Sequence, residues 1–143
     1  MINYIVNAAI RSGINHVTVL TTDGRVYSWA WGTTYSVDNK AVLQKPQFVS
    51  GRLEGKRVLE VACGQAHTLA LTEGEVYSWG YNIYGQLGTG STTSEPDAVK
   101  TSGPEEFDKK ILAVACTRTG WNSFALDRAG NVSCICFIIL IPN

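Results

Sequence analysis

Val58-Leu-Glu-Val-Ala-Cys-Gly64-Gln-Ala-His67-Thr-Leu-Ala-Leu-Thr-Glu-Gly74-Glu-Val-Tyr-Ser-Trp79-Gly80 is the stretch whose periodicity decides the fold. His67, Leu69 and Leu71 alternate with Thr68, Ala70 and Thr72. A period of two is that of a β-strand, whose successive side chains point to opposite faces. Gly64 bounds the run before it and Glu73-Gly74 after it, so a tight hairpin turn is expected at Gly74. Val76-Tyr-Ser-Trp79 then pairs back, with Tyr77 and Trp79 on one face and Val76 and Ser78 on the other. Upstream, Val58 to Cys63 is almost continuously apolar, as in a strand covered on both faces.

The same pattern occurs twice more. Ile10-Arg-Ser-Gly13-Ile-Asn-His16-Val-Thr-Val-Leu-Thr-Thr-Asp-Gly24-Arg-Val-Tyr-Ser-Trp29 precedes it, with Asp23-Gly24 as the hairpin signal. Ile111-Leu-Ala-Val-Ala-Cys116 and then Asn122-Ser-Phe-Ala-Leu-Asp-Arg-Ala-Gly130-Asn-Val132 follow it. Gly24 to Gly74 is 50 residues and Gly74 to Gly130 is 56, the excess lying before Ile111 and Asn122. Pro46 and Val49 recur as Pro96 and Val99, and proline suits an outer edge strand that need not donate every amide. Each unit reads as a small antiparallel sheet with one bulky and one shallow face, shaped to stack on its neighbour. The expected fold is all-β: a partial β-propeller of about two to three four-stranded blades. The repeat units fall at approximately 1–49, 50–99 and 100–143, the last incomplete.

Motifs choose among propeller families. There is no Trp-Asp dipeptide and no Gly-Gly doublet; instead Ala62-Cys-Gly64-Gln-Ala-His67-Thr-Leu-Ala-Leu71 leads to Gly74-Glu-Val-Tyr-Ser-Trp79-Gly80-Tyr-Asn82 and Gly85-Gln-Leu-Gly88-Thr-Gly90. This resembles the repeat of the regulator of chromosome condensation family, most closely over 58–99, less over 10–49 and least after 111. The first unit departs at 35–38, where Tyr-Ser-Val-Asp replaces Gly-Gln-Leu-Gly, and the third where Ser133-Cys-Ile replaces Tyr-Ser-Trp. The resemblance implies a seven-bladed propeller used for guanine-nucleotide exchange on the small GTPase Ran, for docking in ubiquitin ligases, or as a plant ultraviolet photoreceptor. Seven such blades need roughly 350 residues, and 143 suffice for fewer than three. The chain is therefore expected to be a truncated copy or fragment of a longer propeller, or else an open stack whose end faces are covered by another chain or by atypical caps.

Composition bounds the function. Twelve Lys+Arg balance twelve Asp+Glu, which removes the broad attraction to nucleic acid or anionic lipid. Cys63, Cys116, Cys134 and Cys136 form no disulfide framework and no zinc-type spacing, so reduced thiols are expected. The first residues lack a basic, apolar leader and no apolar run is long enough to span a membrane, which points to the cytoplasm or nucleus. The uncharged tail Cys134 to Ile141 reads as a buried strand or, if uncovered, an aggregation-prone segment.

The tempting chemical sites have structural readings. Gly13, His16, Gly24, Trp29, Gly64, His67, Gly74, Trp79, Gly80, Gly85, Gln86, Leu87, Gly88 and Gly130 make up the repeat motif, and recurrence argues for architecture over catalysis. His16, His67 and Asn122 occupy equivalent strand starts, where a polar group is expected to satisfy turn backbone. Gly51 to Arg57 is one residue short of a phosphate loop and lacks the following Ser/Thr. Neither G-x-S-x-G nor H-E-x-x-H occurs. Trp121 reads as a core or rim aromatic, and Thr101 to Lys110 as a surface insertion for partner contact or a neutral linker. No catalytic residue, cofactor or metal is expected. The reading is a non-enzymatic protein–protein interaction module; the alternative, implied by the resemblance, is nucleotide exchange on a Ran-like GTPase. A protein partner is expected, with self-association through uncovered blade faces.

Overall fold

In the computed structural model, residues 8–30, 45–102 and 110–136 are described. Eleven strands and no helix occur among them, in three antiparallel sheets. The first sheet has the order β1 (Ala9–Ser12), β2 (His16–Leu20), β3 (Val26–Ala30), β4 (Gln47–Phe48). The second repeats it with β5 (Glu60–Cys63), β6 (His67–Leu71), β7 (Val76–Gly80) and β8 (Glu95–Lys100). The third contains β9 (Ile111–Cys116), β10 (Ser123–Asp127) and β11 (Val132–Cys134). Each sheet is a meander in which sequential strands are spatial neighbours, as in a propeller blade.

Register aligns the sheets residue for residue. Leu20 pairs with Val26 and Leu71 with Val76; Val19 pairs with Tyr27 and Ala70 with Tyr77. The hairpin turns between these strands place Gly24, Gly74 and Gly130 at φ of 83°, 87° and 87°, a conformation that penalises any side chain with a Cβ. Pro96 lies in β8, the edge strand of its sheet, and Pro46 immediately precedes edge strand β4.

The core lies between the sheets. Val61, Ala70, Tyr77 and Trp79 on one face of the second sheet meet Leu20 and Val26 of the first. On its other face Leu69, Leu71 and Val76 meet Ile111, Val114, Ala125 and Ile135 of the third. The bulky aromatic layer thus packs into a shallow aliphatic one, the arrangement that leaves fewest voids. β6 is buried at all five positions because it has a blade on either side.

One expectation is corrected. The apolar run from Val58 is a strand only from Glu60: the Val58 amide instead bonds Gly24 O of the first sheet at 3.0 Å. The third sheet has three strands among the described residues, in keeping with an incomplete last unit; residues 137–143 lie outside them. Ile135 nevertheless occupies the place of Trp79 and is buried in the core.

Candidate protein-interaction surface

At one end of the sheets the motif residues build a joint between blades. The Gly64 amide donates to His67 O at 2.9 Å, closing the turn, and the Gly13 amide does the same to His16 O at 3.0 Å. Turn backbone therefore needs no imidazole, and the expected role of the histidines is corrected. His16 Nε2 bonds Thr68 Oγ1 of the second sheet at 3.0 Å, and His67 Nε2 bonds Ser123 Oγ of the third at 2.8 Å. The Ser123 hydroxyl gives its proton to Gln86 O at 2.8 Å, so His67 Nε2–H is the donor and Nδ1 carries the lone pair. Each ring lies across its own turn glycine: a Cβ on Gly64 would come 2.5 Å from His67 Nδ1 and 2.6 Å from Nε2. Burial pulls both imidazoles down to about 4, with the nearby His16 adding to the effect at His67. Asn122, the equivalent residue of the third sheet, is exposed.

Gly85-Gln-Leu-Gly88 forms a buried plug organised by Asn82. The Asn82 Nδ2 group donates to Thr93 O at 2.8 Å and Ser91 O at 3.0 Å, while Oδ1 accepts from the Leu87 amide at 2.9 Å. Leu87 is fully buried and its carbonyl accepts from Ser78 Oγ at 2.9 Å. Gly88 sits against Ile135 and Thr101, and Gly80 against Ala66 O, where a Cβ would come within 2.6 Å. Repetition does not single out Asn82, although an asparagine heading a Gly/Ser/Thr-rich loop is a recognisable turn signal. Truncating it orphans several buried loop groups at once. Asn82→Ala is expected to cost about 2 kcal/mol in urea denaturation, with unchanged m-value.

Cys63 and Cys116 stand at matching positions, opposite Thr68 and Ser123, and burial pushes the Cys116 thiol up to about 12. Such a thiol is inert as a nucleophile. Among the described residues no cluster of three His, Cys, Asp or Glu side chains is positioned to hold a metal. A cleft of about 410 Å³ at the opposite end is lined by Arg52, Glu73, Glu75, Lys100 and Lys110. Glu75 neutralises part of it by accepting from Lys100 at 2.8 Å, Lys56 at 3.2 Å and the Tyr77 hydroxyl at 2.8 Å, contacts that hold its carboxyl down at about 2.

The exposed loops of the histidine end differ in character. Trp121 packs on Tyr81 and Tyr84, with ring centroids 5.2 and 5.3 Å apart, making an aromatic ridge across the second and third sheets. Tyr84, Ile83 and Ile14 are exposed. Backbone bonds tie the loops into one row: the Ile14 amide donates to Gln65 O, and the Gln65 amide to Gly120 O, each at 3.1 Å. Arg118 is the single charged residue in segments 13–15, 64–66, 81–94 and 117–122. Trp121 is thus a rim aromatic. Most of the Thr101–Lys110 insertion, residues 103–109, lies outside the described residues, as does the departure at 35–38.

The sequence profile of the Regulator of chromosome condensation (RCC1) repeat matches residues 23–71 and 73–120, and a second profile of that repeat matches 58–86. The chain belongs to the RCC1 repeat family. Each longer match begins in or just before the hairpin of one sheet and runs into the next, so the recurring sequence unit straddles a blade junction. Human E3 ubiquitin-protein ligase HERC2 is 35% identical over 136 residues, 91% of this chain and 3% of that protein. Ultraviolet-B receptor UVR8 of Arabidopsis thaliana is 36% identical over 115 residues, 78% of this chain and 26% of the receptor. Human WBSCR16 superposes with a TM-score of 0.71 at 25% identity over 92% of this chain and 33% of its own. Prp20p of Saccharomyces cerevisiae, described with its binding properties to Gsp1p and histones, gives 0.68 at 23% identity over 88% and 32%. The chain therefore spans a third or less of each of these relatives. No helix among the described residues is long and apolar enough to cross a membrane.

Proposed function

We propose that this chain is a non-enzymatic protein-interaction module: an arc of an RCC1-type propeller, with units near 1–49, 50–99 and 100–143, that takes a protein partner on its histidine-end loops in the cytoplasm or nucleus. The observation that carries this is the Tyr81–Trp121–Tyr84 ridge, flanked by exposed Ile14 and Ile83. Tyrosine, tryptophan and arginine dominate binding hot spots because they bring large contact area and a polar tip at low entropic cost. His16 and His67 are occupied in bonding neighbouring sheets, and Asn82 in holding its own loop. This leaves binding to the loops.

The test is affinity capture followed by quantitative mass spectrometry with wild type, Tyr84→Ala and Trp121→Ala. Proteins retained by wild type are expected to fall at least tenfold with either variant while the far-UV spectrum is unchanged. Retention unaffected by both variants defeats the proposed surface. Nucleotide exchange, the alternative reading, is tested by release of a fluorescent GDP analogue from Ran, where stoichiometric chain is expected to give no acceleration. Accelerated release would replace the interaction-only reading.

A further inference from the structure

The loop Thr89-Gly-Ser-Thr-Thr-Ser94 is rich in hydroxyls and runs directly into Glu95-Pro-Asp97 at the start of β8. It belongs to the second sheet, which has a sheet packed on each face, and it leaves that sheet at the outer edge strand and not on either packed face. Most of its polar groups are taken up in holding its own shape. Thr89 Oγ1 and Ser91 Oγ lie 3.2 Å apart, Ser91 Oγ accepts from the Thr93 amide at 3.3 Å, and Ser94 Oγ accepts from the Asn82 amide at 3.0 Å. The Asn82 side-chain amide grips Ser91 O and Thr93 O, the carbonyls on either side of Thr92. Thr92 itself is exposed, and its hydroxyl bonds no other group among the described residues. Glu95 and Asp97 likewise form no ion pair among the described residues.

We infer that Thr92 is a phosphorylation site for an acid-directed serine/threonine kinase, and that its phosphate turns off partner binding at the aromatic ridge; the second half rests on the ridge being the partner surface. Acid-directed kinases have a basic substrate groove and read a carboxylate three residues after the acceptor hydroxyl. At that spacing Thr92 has Glu95 and Ser94 has Asp97, whereas Thr89, Ser91 and Thr93 have Thr92, Ser94 and Pro96. Ser94 is half-buried with its hydroxyl engaged, which leaves Thr92 as the acceptor. The γ-phosphoryl group of ATP passes to Thr92 Oγ1 as its bond to the β-phosphate oxygen breaks; ADP leaves and the hydroxyl proton goes to the kinase's base. Asn82 lies between Tyr81 and Ile83 in the chain, so its grip on the carbonyls flanking Thr92 sets the phosphate beside the ridge. Phosphothreonine carries about −1.5 to −2 charges at pH 7. It would enter a row of loops in which Arg118 is the single charged residue. An apolar partner laid over the ridge would strip water from that dianion without supplying cations, which opposes docking.

The test incubates the full 143-residue chain with casein kinase 2, an acid-directed enzyme, and magnesium ATP. Incorporation of one phosphoryl group is expected, mapped to Thr92 by tandem mass spectrometry. Thr92→Val is expected to abolish it and Glu95→Gln to slow it at least tenfold, both with the wild-type circular dichroism spectrum. No incorporation, incorporation at Ser94 in place of Thr92, or a rate indifferent to Glu95→Gln overturns the site. In the affinity capture described above, the phosphorylated chain is expected to retain at least tenfold less of the proteins held by the unmodified chain, while kinase-treated Thr92→Val retains them in full. Undiminished retention by the phosphorylated chain overturns the switch. An unmodified chain that retains no protein defeats the ridge reading and the switch with it, whereas the site is decided by incorporation alone, so the two failures are distinguishable.

Discussion

Replacing Gly64 by alanine is expected to destabilise the chain by about 3 kcal/mol, at the upper end of what a single added methyl costs in a packed interior. The added Cβ overlaps the His67 ring, which is 1% exposed and has neighbours on both sides. Displacing the imidazole also removes its bond to Ser123 Oγ, leaving buried polar groups unpaired between the second and third sheets. Gly130→Ala supplies the comparison. That glycine has φ of 87° but nothing within 4 Å of the methyl that alanine would add, so only backbone strain applies, about 1 kcal/mol. Urea denaturation measures both. The double variant Gly64→Ala/His67→Ala separates clash from backbone effect: with no ring to displace, it is expected to be no less stable than His67→Ala alone. Strict additivity would show that the glycine is needed for some reason other than room for the imidazole.

This pairing explains which parts of the fold are legible in the sequence. The hairpins are, because turn glycine and alternating apolar strand are neighbours in the chain and each restricts the backbone locally. Val-Tyr-Ser-Trp also announces its two faces, since the pleat alone determines that Tyr77 and Trp79 point together. The relation of Gly64 to His67 is visible as a spacing, but its reason is not. His67 reaches Ser123, 56 residues away, and His16 reaches Thr68, 52 away. Those separations are close to the repeat length, so a side chain bonding the residue after its equivalent in the next blade looks identical, in sequence, to one bonding its own turn. The aromatic ridge is hidden for the same reason: Trp121 meets Tyr81 and Tyr84 only because neighbouring blades bring distant loops into one row. Asn82 escapes notice on other grounds. Its partners Leu87, Ser91 and Thr93 are local, but the first unit's loop follows a different sequence, so comparison between units does not pick it out.

Mild acid is expected to unfold this chain well before its carboxylates are protonated. His16 and His67 have an ordinary value of 6.5 when exposed and are held near 4 in the fold. Between these values the unfolded chain binds protons that the native chain refuses, so stability is complete above about pH 6.5 and declines as pH falls toward 4, then levels off. A shift of this size is worth on the order of 3 kcal/mol per imidazole, and two of them approach the total stability of a small domain. The cause is geometric as well as dielectric. At His67, Nε2–H is already committed to Ser123, and a proton added to Nδ1 would be a buried donor facing Gly64 without an acceptor. Asp23 and Glu75, both held down near 2 by hydrogen-bonded partners, act in the other window: their stabilisation is lost only below their unfolded values near 4, and being exposed they are screened. Denaturation midpoints measured from pH 7.5 to 4 check the separation. His67→Gln, which keeps a side-chain donor but no titrating ring, is expected to lower stability at pH 7.5 and to remove about half of the decline between 6.5 and 4. A wild-type profile that is flat over that interval would mean that the rings accept protons in place, and that the joint between blades does not depend on neutral imidazole.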